Sequence, residues 1–250
     1  MRYFLFLSYD GSAYHGWQTQ PNALSVQQVV EESLSLILRF PVSITGAGRT
    51  DAGVHAVSMP AHFDTETPIG GYGVFLNRLN SLLPRDIAVQ RIVPVSPDAH
   101  ARFDALYRTY HYYLSGYKDP FRARYSYRYS GSLDFDAMNA AAEYLKTVSD
   151  FTSFSKLHTD TRTNICKVTE ARWEACDGQM RFVITADRFL RNMVRAVVGT
   201  LLEVGRGKMT MQQFVRVIES KNRCSAGTSM PANALFLTEV GYPDEIFEYN

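Results

Sequence analysis

Between Val26 and Arg39 the apolar residues Val26, Val29, Val30, Leu34, Ile37 and Leu38 recur at helical spacing, while the segments on either side carry strand-like patterns. Ser25 and Gln28 form a capping-box pattern at the start and Pro41 follows the end, so 26–39 is predicted as a helix. Upstream, RYFLFLSY (2–9) reads as a strand closed by the turn pair Asp10-Gly11, and a loop rich in Gly, Ser and Pro runs on to Ala23. Downstream, strands are predicted over 42–45, 54–63 and 87–95, with a helix over 70–82 stopped by Pro84. HARFDALYRTYHYYL (100–114) reads as one long aromatic strand. Helices are expected again over 135–147, 190–204 and 211–220, the last with Thr210 and Gln213 as a second capping box. Strands over 168–176 and 179–187 flank the hairpin signal Asp177-Gly178, and a last strand covers 234–242. Such alternation restricts the chain to an α/β or α+β arrangement of helices packed on a sheet. Its 250 residues allow one large domain or two ordinary ones, and two halves are expected, 1–105 and 106–250.

Composition removes several function classes. The apolar fraction of 46% suits a globular core, and no apolar stretch reaches membrane-spanning length. The N-terminus carries no signal-peptide pattern, so a soluble, cytoplasmic protein is expected. Cys166, Cys176 and Cys224 are odd in number and form no C-x-x-C pair, which suggests neither a disulfide framework nor a zinc site. Net charge is only +1, so binding of nucleic acid would need basic residues gathered locally. They are gathered: 100–130 and 181–208 each hold six basic residues against two acidic ones. Within the first window FRARYSYRY interleaves arginine with aromatics, as surfaces that grip phosphate and stack bases do.

GAGRTDAGVHA (46–56) is the segment most suggestive of chemistry. It is not a dinucleotide fingerprint, because the position of the third glycine falls on Asp51, whose carboxylate would repel a pyrophosphate. Nor is it a P-loop: Gly48 and Gly53 have that spacing, yet Val54-His55 stand where Lys-Ser/Thr is needed. Asp51, His55 and His62 lack metal-site spacing, and Asp64 with Glu66 looks like a solvated turn rather than half of a glycosidase pair. A plain strand–turn–strand with a surface aspartate would account for the segment. Against that stands the order Arg-Thr-Asp between glycines, which would let a backbone approach a ligand and present one carboxylate for a single-nucleophile mechanism.

GAGRTDAGVHA resembles the catalytic motif of the tRNA pseudouridine synthase A family. YDGSAYHGWQTQ (9–20) with SVQQVVEESL (25–34) looks like that family's N-terminal signature, and DAHARFDALYRTYHYYL (98–114) like its second motif. DFTSF (150–154), FLRNMVRAVVGTLLEVGRG (189–207) and ALFLTEVGYP (234–243) resemble its C-terminal motifs, so the likeness covers nearly the whole chain. Ala234 stands where the family often has glycine, and Arg188 and Arg191 where less basic residues are usual. The resemblance implies an α+β pseudouridine synthase fold: two α/β halves with mainly antiparallel sheets flanked by helices around a central cleft. It implies Asp51 as the catalytic aspartate, Arg49 beside the flipped-out nucleotide, and Tyr110 stacked on the uracil. Arg195 would pair with the aspartate, and Leu235 would line the pocket.

The implied reaction is isomerisation of uridine to pseudouridine at positions thirty-eight to forty of the tRNA anticodon arm, by a homodimer. The N1–C1′ bond breaks and the base rejoins through C5, without redox change, so neither cofactor nor metal is implied. Asp51 would attack the sugar or the base, or remove a sugar proton, and the residues leave that choice open. Two other readings share the scaffold: a pseudouridine synthase with a different RNA target, and a non-catalytic RNA-binding protein.

Overall fold

The run Tyr3-Phe4-Leu5, with Leu7, is buried along β1 (Arg2–Tyr9), as a strand covered on both faces requires. Residues 1–156 and 163–247 are described in this computed structural model. The chain divides into two compact units, Met1–Leu106 with Phe236–Asn250, and Tyr107–Leu235.

In the first unit β1 is followed by α1 (Val26–Leu38), β2 (Thr45–Gly46), β3 (His55–Asp64), α2 (Tyr72–Leu82) and β4 (Ile87–Val95). The second unit contributes β5 (Tyr107–Ser115), β6 (Tyr127–Arg128), α3 (Phe135–Tyr144), β7 (Val168–Cys176), β8 (Gln179–Ala186), α4 (Met193–Gly205) and α5 (Met211–Glu219). The chain then forms β9 (Leu235–Gly241), whose Phe236 and Leu237 pair in parallel with His55 and Ala56 of β3. The first unit's sheet runs β4-β1-β3-β9, with β2 also on β3, and every pairing but β3–β9 is antiparallel. In the second unit β5-β8-β7 are antiparallel, and the short β6 lies parallel to β5. Mainly antiparallel sheets with helices on them, the α+β expectation, are what each unit shows.

One core of the first unit gathers Phe4, Val95, Ala99 and Ala101, closed by the C-terminal rings of Tyr242 and Phe247 edge-on to Phe4. In the second unit α4 is the central helix. Eleven of its 13 residues are buried, too many for a one-faced helix, and α3 and α5 pack on it.

Both capping signals mark real helix starts, with one difference. Thr210 and Gln213 close the reciprocal box, whereas at α1 Ser25 caps the Gln28 N–H and the Gln28 amide turns to Glu32 instead. Asp177-Gly178 makes the predicted hairpin, with both residues at positive φ (48° and 75°), as a type I′ turn demands. Helices predicted to begin at residues 70 and 190 begin at Tyr72 and Met193.

Two predicted strands are shorter than expected. Across 42–45 only Thr45 pairs, because α1 side chains take the other backbone groups: Ser35 Oγ accepts the Val42 N–H, and Glu31 Oε1 accepts that of Ile44. Across 100–106 the backbone folds into turns. His100 Nδ1 accepts the N–H groups of Arg102 and Phe103, and the Asp104 carboxylate accepts that of His100. Strand pairing starts only at Tyr107.

Candidate active site

Asp51 opens a tight turn between β2 and β3. Its carbonyl accepts the Val54 N–H at 3.1 Å, and Gly53 sits at φ +77°, the positive value that selects glycine at the third position of a type II turn. The Asp51 side chain is half-buried and that of Arg49 is exposed.

The turn is tied on both flanks to the segment that follows β1. The Trp17 N–H donates to the Thr50 carbonyl at 3.2 Å, and the Gly53 N–H donates to the Tyr14 carbonyl at 3.3 Å. The Tyr9 and Thr50 hydroxyls lie 2.9 Å apart, and Arg49 Nε donates to Gln18 Oε1 at 3.2 Å. Tyr14 is itself anchored, its hydroxyl donating to Asp86 at 2.7 Å, and burial pushes that phenol above its usual range. The fit is close. A Cβ on Gly46 would lie 2.5 Å from the Trp17 indole, and one on Gly16 would collide with the Thr50 carbonyl oxygen. Gly48 differs, since a Cβ there would meet no atom within 4 Å.

The other three candidates belong to the second unit. Tyr110 is on β5 opposite Ile184, half-buried, with Phe189 edge-on at 5.1 Å between ring centres. Arg195 is on the first turn of α4. Its Nε donates to the Met230 carbonyl at 2.5 Å while its own carbonyl accepts the Met230 N–H at 3.1 Å. The hydroxyl of Tyr112, a fully buried phenol, donates to the next carbonyl, Pro231, at 3.1 Å. Met230 and Pro231 are thereby held from α4 and from β5, which fixes the start of β9, where Leu235 is buried. The segment 227–228 reaches α4 because Gly199 has no side chain: a Cβ there would collide with the Thr228 carbonyl oxygen. Gly227 N–H then donates to Thr200 Oγ1 at 2.9 Å.

Tyr14, Trp17, Gln18, Tyr112, Gly199 and Met230 position the candidates without being singled out by the sequence. Tyr14, Trp17 and Gln18 lie in YDGSAYHGWQTQ, Tyr112 in DAHARFDALYRTYHYYL and Gly199 in FLRNMVRAVVGTLLEVGRG, whose glycines and aromatics mark close backbone approach, whereas Met230 lies in none of the quoted motifs. His62, weighed as a metal ligand, turns Nδ1 to the Ala101 N–H at 3.1 Å. Among the described residues no group of three or more His, Cys, Asp or Glu is arranged to hold a metal ion. No helix among them is long and apolar enough to cross a membrane.

A Gly-bounded Arg-Thr-Asp turn held rigidly against an N-terminal aromatic segment is the arrangement on which comparison with known proteins bears. The family model described as tRNA pseudouridine synthase matches residues 6–104 and 140–243, and the chain belongs to that family. Arg49, Asp51, Arg195 and Leu235 lie within the matched stretches, and Tyr110 lies between them. At the level of individual proteins, the chain is 58% identical over 246 residues to tRNA pseudouridine synthase A of Parabacteroides distasonis, covering 98% of each chain. It is 58% identical over 249 residues to the protein of the same name from Bacteroides thetaiotaomicron, covering 98% of this chain and 92% of the other. The protein of that name from Acetivibrio thermocellus is 39% identical over 240 residues, 95% of this chain and 98% of its own.

Proposed function

We propose that this protein isomerises uridine to pseudouridine at positions thirty-eight to forty of the anticodon arm of tRNA, with Asp51 as the catalytic aspartate. The observation that carries the reading is the 58% identity, over nearly the full length of both chains, to a tRNA pseudouridine synthase A, together with an intact Arg-Thr-Asp turn. In the reaction the N1–C1′ bond breaks, the freed uracil turns, and C5 bonds to C1′. C5 then loses its proton and N1 gains one, so the balance needs no electron acceptor.

Each residue has a physical task in this scheme. The target base must leave its stack, at a cost of a few kcal/mol, and the Tyr110 ring takes over stacking worth roughly 1–3 kcal/mol. Arg49, exposed two residues before Asp51, stands beside the extruded nucleotide. Arg195 pairs with the Asp51 carboxylate, so that its charge is not left alone in a desolvated site. Leu235 lines the uracil pocket. Open space beside Gly48 supports close approach of the nucleotide to the turn. The same proposal includes a cytoplasmic homodimer in which one anticodon arm spans two copies.

Release of tritium from 5-tritiated uridine in unmodified tRNA follows the loss of the C5 proton directly. The native chain releases it, and Asp51→Asn is expected to lower the rate at least about a thousandfold while tRNA binding persists. Equal release by both proteins would remove Asp51 from the chemistry.

A further inference from the structure

The turn after β5 presents an aromatic ring that the fold does not use. Phe121 is 91% exposed, yet the backbone beneath it is locked. Asp119 Oδ1 accepts the Phe121 N–H at 2.9 Å, and the Asp119 carbonyl accepts the Ala123 N–H at 2.9 Å. The Arg122 carbonyl accepts from Tyr125 N–H and Ser126 Oγ, both at 2.9 Å. The Arg122 side chain, partly exposed, clips the turn to the Asp177 carbonyl at the tip of the β7–β8 hairpin and pairs with Asp119 at 3.6 Å. From the other side Asn233 donates to the Arg124 carbonyl at 3.2 Å.

A lone exposed phenylalanine is ordinary on a protein surface. Here its backbone is held in place, and the basic residues of the same turn region are exposed. Lys118, Arg124 and Arg128 are exposed, and the only acid between 116 and 130 is Asp119, already paired with Arg122. We propose that this turn is an RNA-docking surface on which Phe121 stacks against an unpaired nucleobase of the tRNA while Lys118, Arg124 and Arg128 take the flanking phosphates. A rigid aromatic costs little ordering on binding, and every base offers a face to stack on. A second copy of the chain fits less well. Two-fold contact centred on Phe121 would set the same three cations against their own copies. The segment also lies between the two stretches that carry the family match.

The inference rests on tRNA being the substrate, and its test separates the two. Phe121→Ala, Phe121→Trp and the double variant Arg124→Gln/Arg128→Gln are compared with the native protein in direct tRNA binding, in steady-state turnover and in sedimentation. Phe121→Ala is expected to weaken binding and raise KM roughly 5- to 100-fold at unchanged kcat, with Phe121→Trp restoring both. The double variant is expected to reduce the slope of log affinity against log salt by about 1.4 to 1.8. Unchanged affinity and KM in Phe121→Ala overturns the docking surface while leaving the Asp51 chemistry standing. So does a shift of sedimentation toward a smaller species without loss of tRNA affinity, which would mark the turn as a contact between copies. Should the native protein bind tRNA but form no pseudouridine, the proposed reaction fails, and the binding arm alone still decides the docking surface. Thermal unfolding of the variants checks folding, which an exposed side chain does not govern.

Discussion

Gly16 carries two constraints at one residue. Its φ is +92°, and a Cβ would collide with the carbonyl oxygen of Thr50, immediately before Asp51. Gly16→Ala is therefore expected to cost about 2 kcal/mol of stability, from backbone strain and overpacking together. Since the displaced atoms are the backbone of the Asp51 turn, kcat should fall more than KM rises. Urea denaturation and single-turnover pseudouridine formation check the two effects, and an unaltered kcat would show that the turn holds its geometry without this contact. The residues next to the proposed chemistry were readable as residue types: a carboxylate between Arg-Thr and Ala-Gly, glycines around it, no phosphate-loop lysine. What could not be read was which glycine serves which purpose. Gly46 makes room for an indole 29 positions earlier in the chain, Gly53 turns the backbone, and at Gly48 a side chain would meet only open space.

At the scale of elements, α4 and the segment 227–231 form one device. The helix admits the segment at Gly199, bonds it through Thr200 and Arg195, and β5 adds the Tyr112 hydroxyl. Gly199→Ala is expected to push the segment off the helix and destabilise the protein by about 1–3 kcal/mol, because a methyl group cannot fit against a backbone carbonyl. Guanidinium unfolding of the variant measures this, and a cost below about 0.5 kcal/mol would mean that the segment yields freely. Helices with a capping residue and a regular apolar face were legible from the sequence, as α1 and α5 show. The misread elements have a common cause. In 42–45 and 100–106 the residue types favour strands, but nearby Ser, Glu, Asp and His side chains accept the backbone N–H groups before a strand partner can. That competition depends on where a side chain lies in space, which a local pattern does not encode.

At the scale of the whole molecule, acid is expected to act through His62. Burial, reinforced by Arg2 and His100 and opposed by Asp64 and Asp104, lowers its pKa from 6.5 to about 4. Its Nδ1 accepts the Ala101 N–H, so a protonated ring would lose that bond. A depressed histidine pKa means that the folded protein binds this proton less readily than the unfolded chain. The associated stability is present above about pH 6.5 and is lost as pH falls toward about 4, amounting to about 2 kcal/mol between about pH 7 and about pH 5. Urea unfolding across that range should show the loss in the native protein and a smaller one in His62→Gln. Parallel curves would place the acid sensitivity elsewhere. Taken alone, the sequence determined the helix and strand types, the antiparallel hairpin at Asp177-Gly178, and the aspartate in its turn, because periodicity, caps and turn chemistry are local. Only the tertiary structure decided that the chain's last strand lies parallel to β3, that Tyr14 and Trp17 brace the Asp51 turn, and that Phe121 stands clear on a locked loop. Those outcomes depend on which distant residues share buried surface and backbone hydrogen bonds, and that choice is made by packing of the whole chain rather than by any short stretch of it.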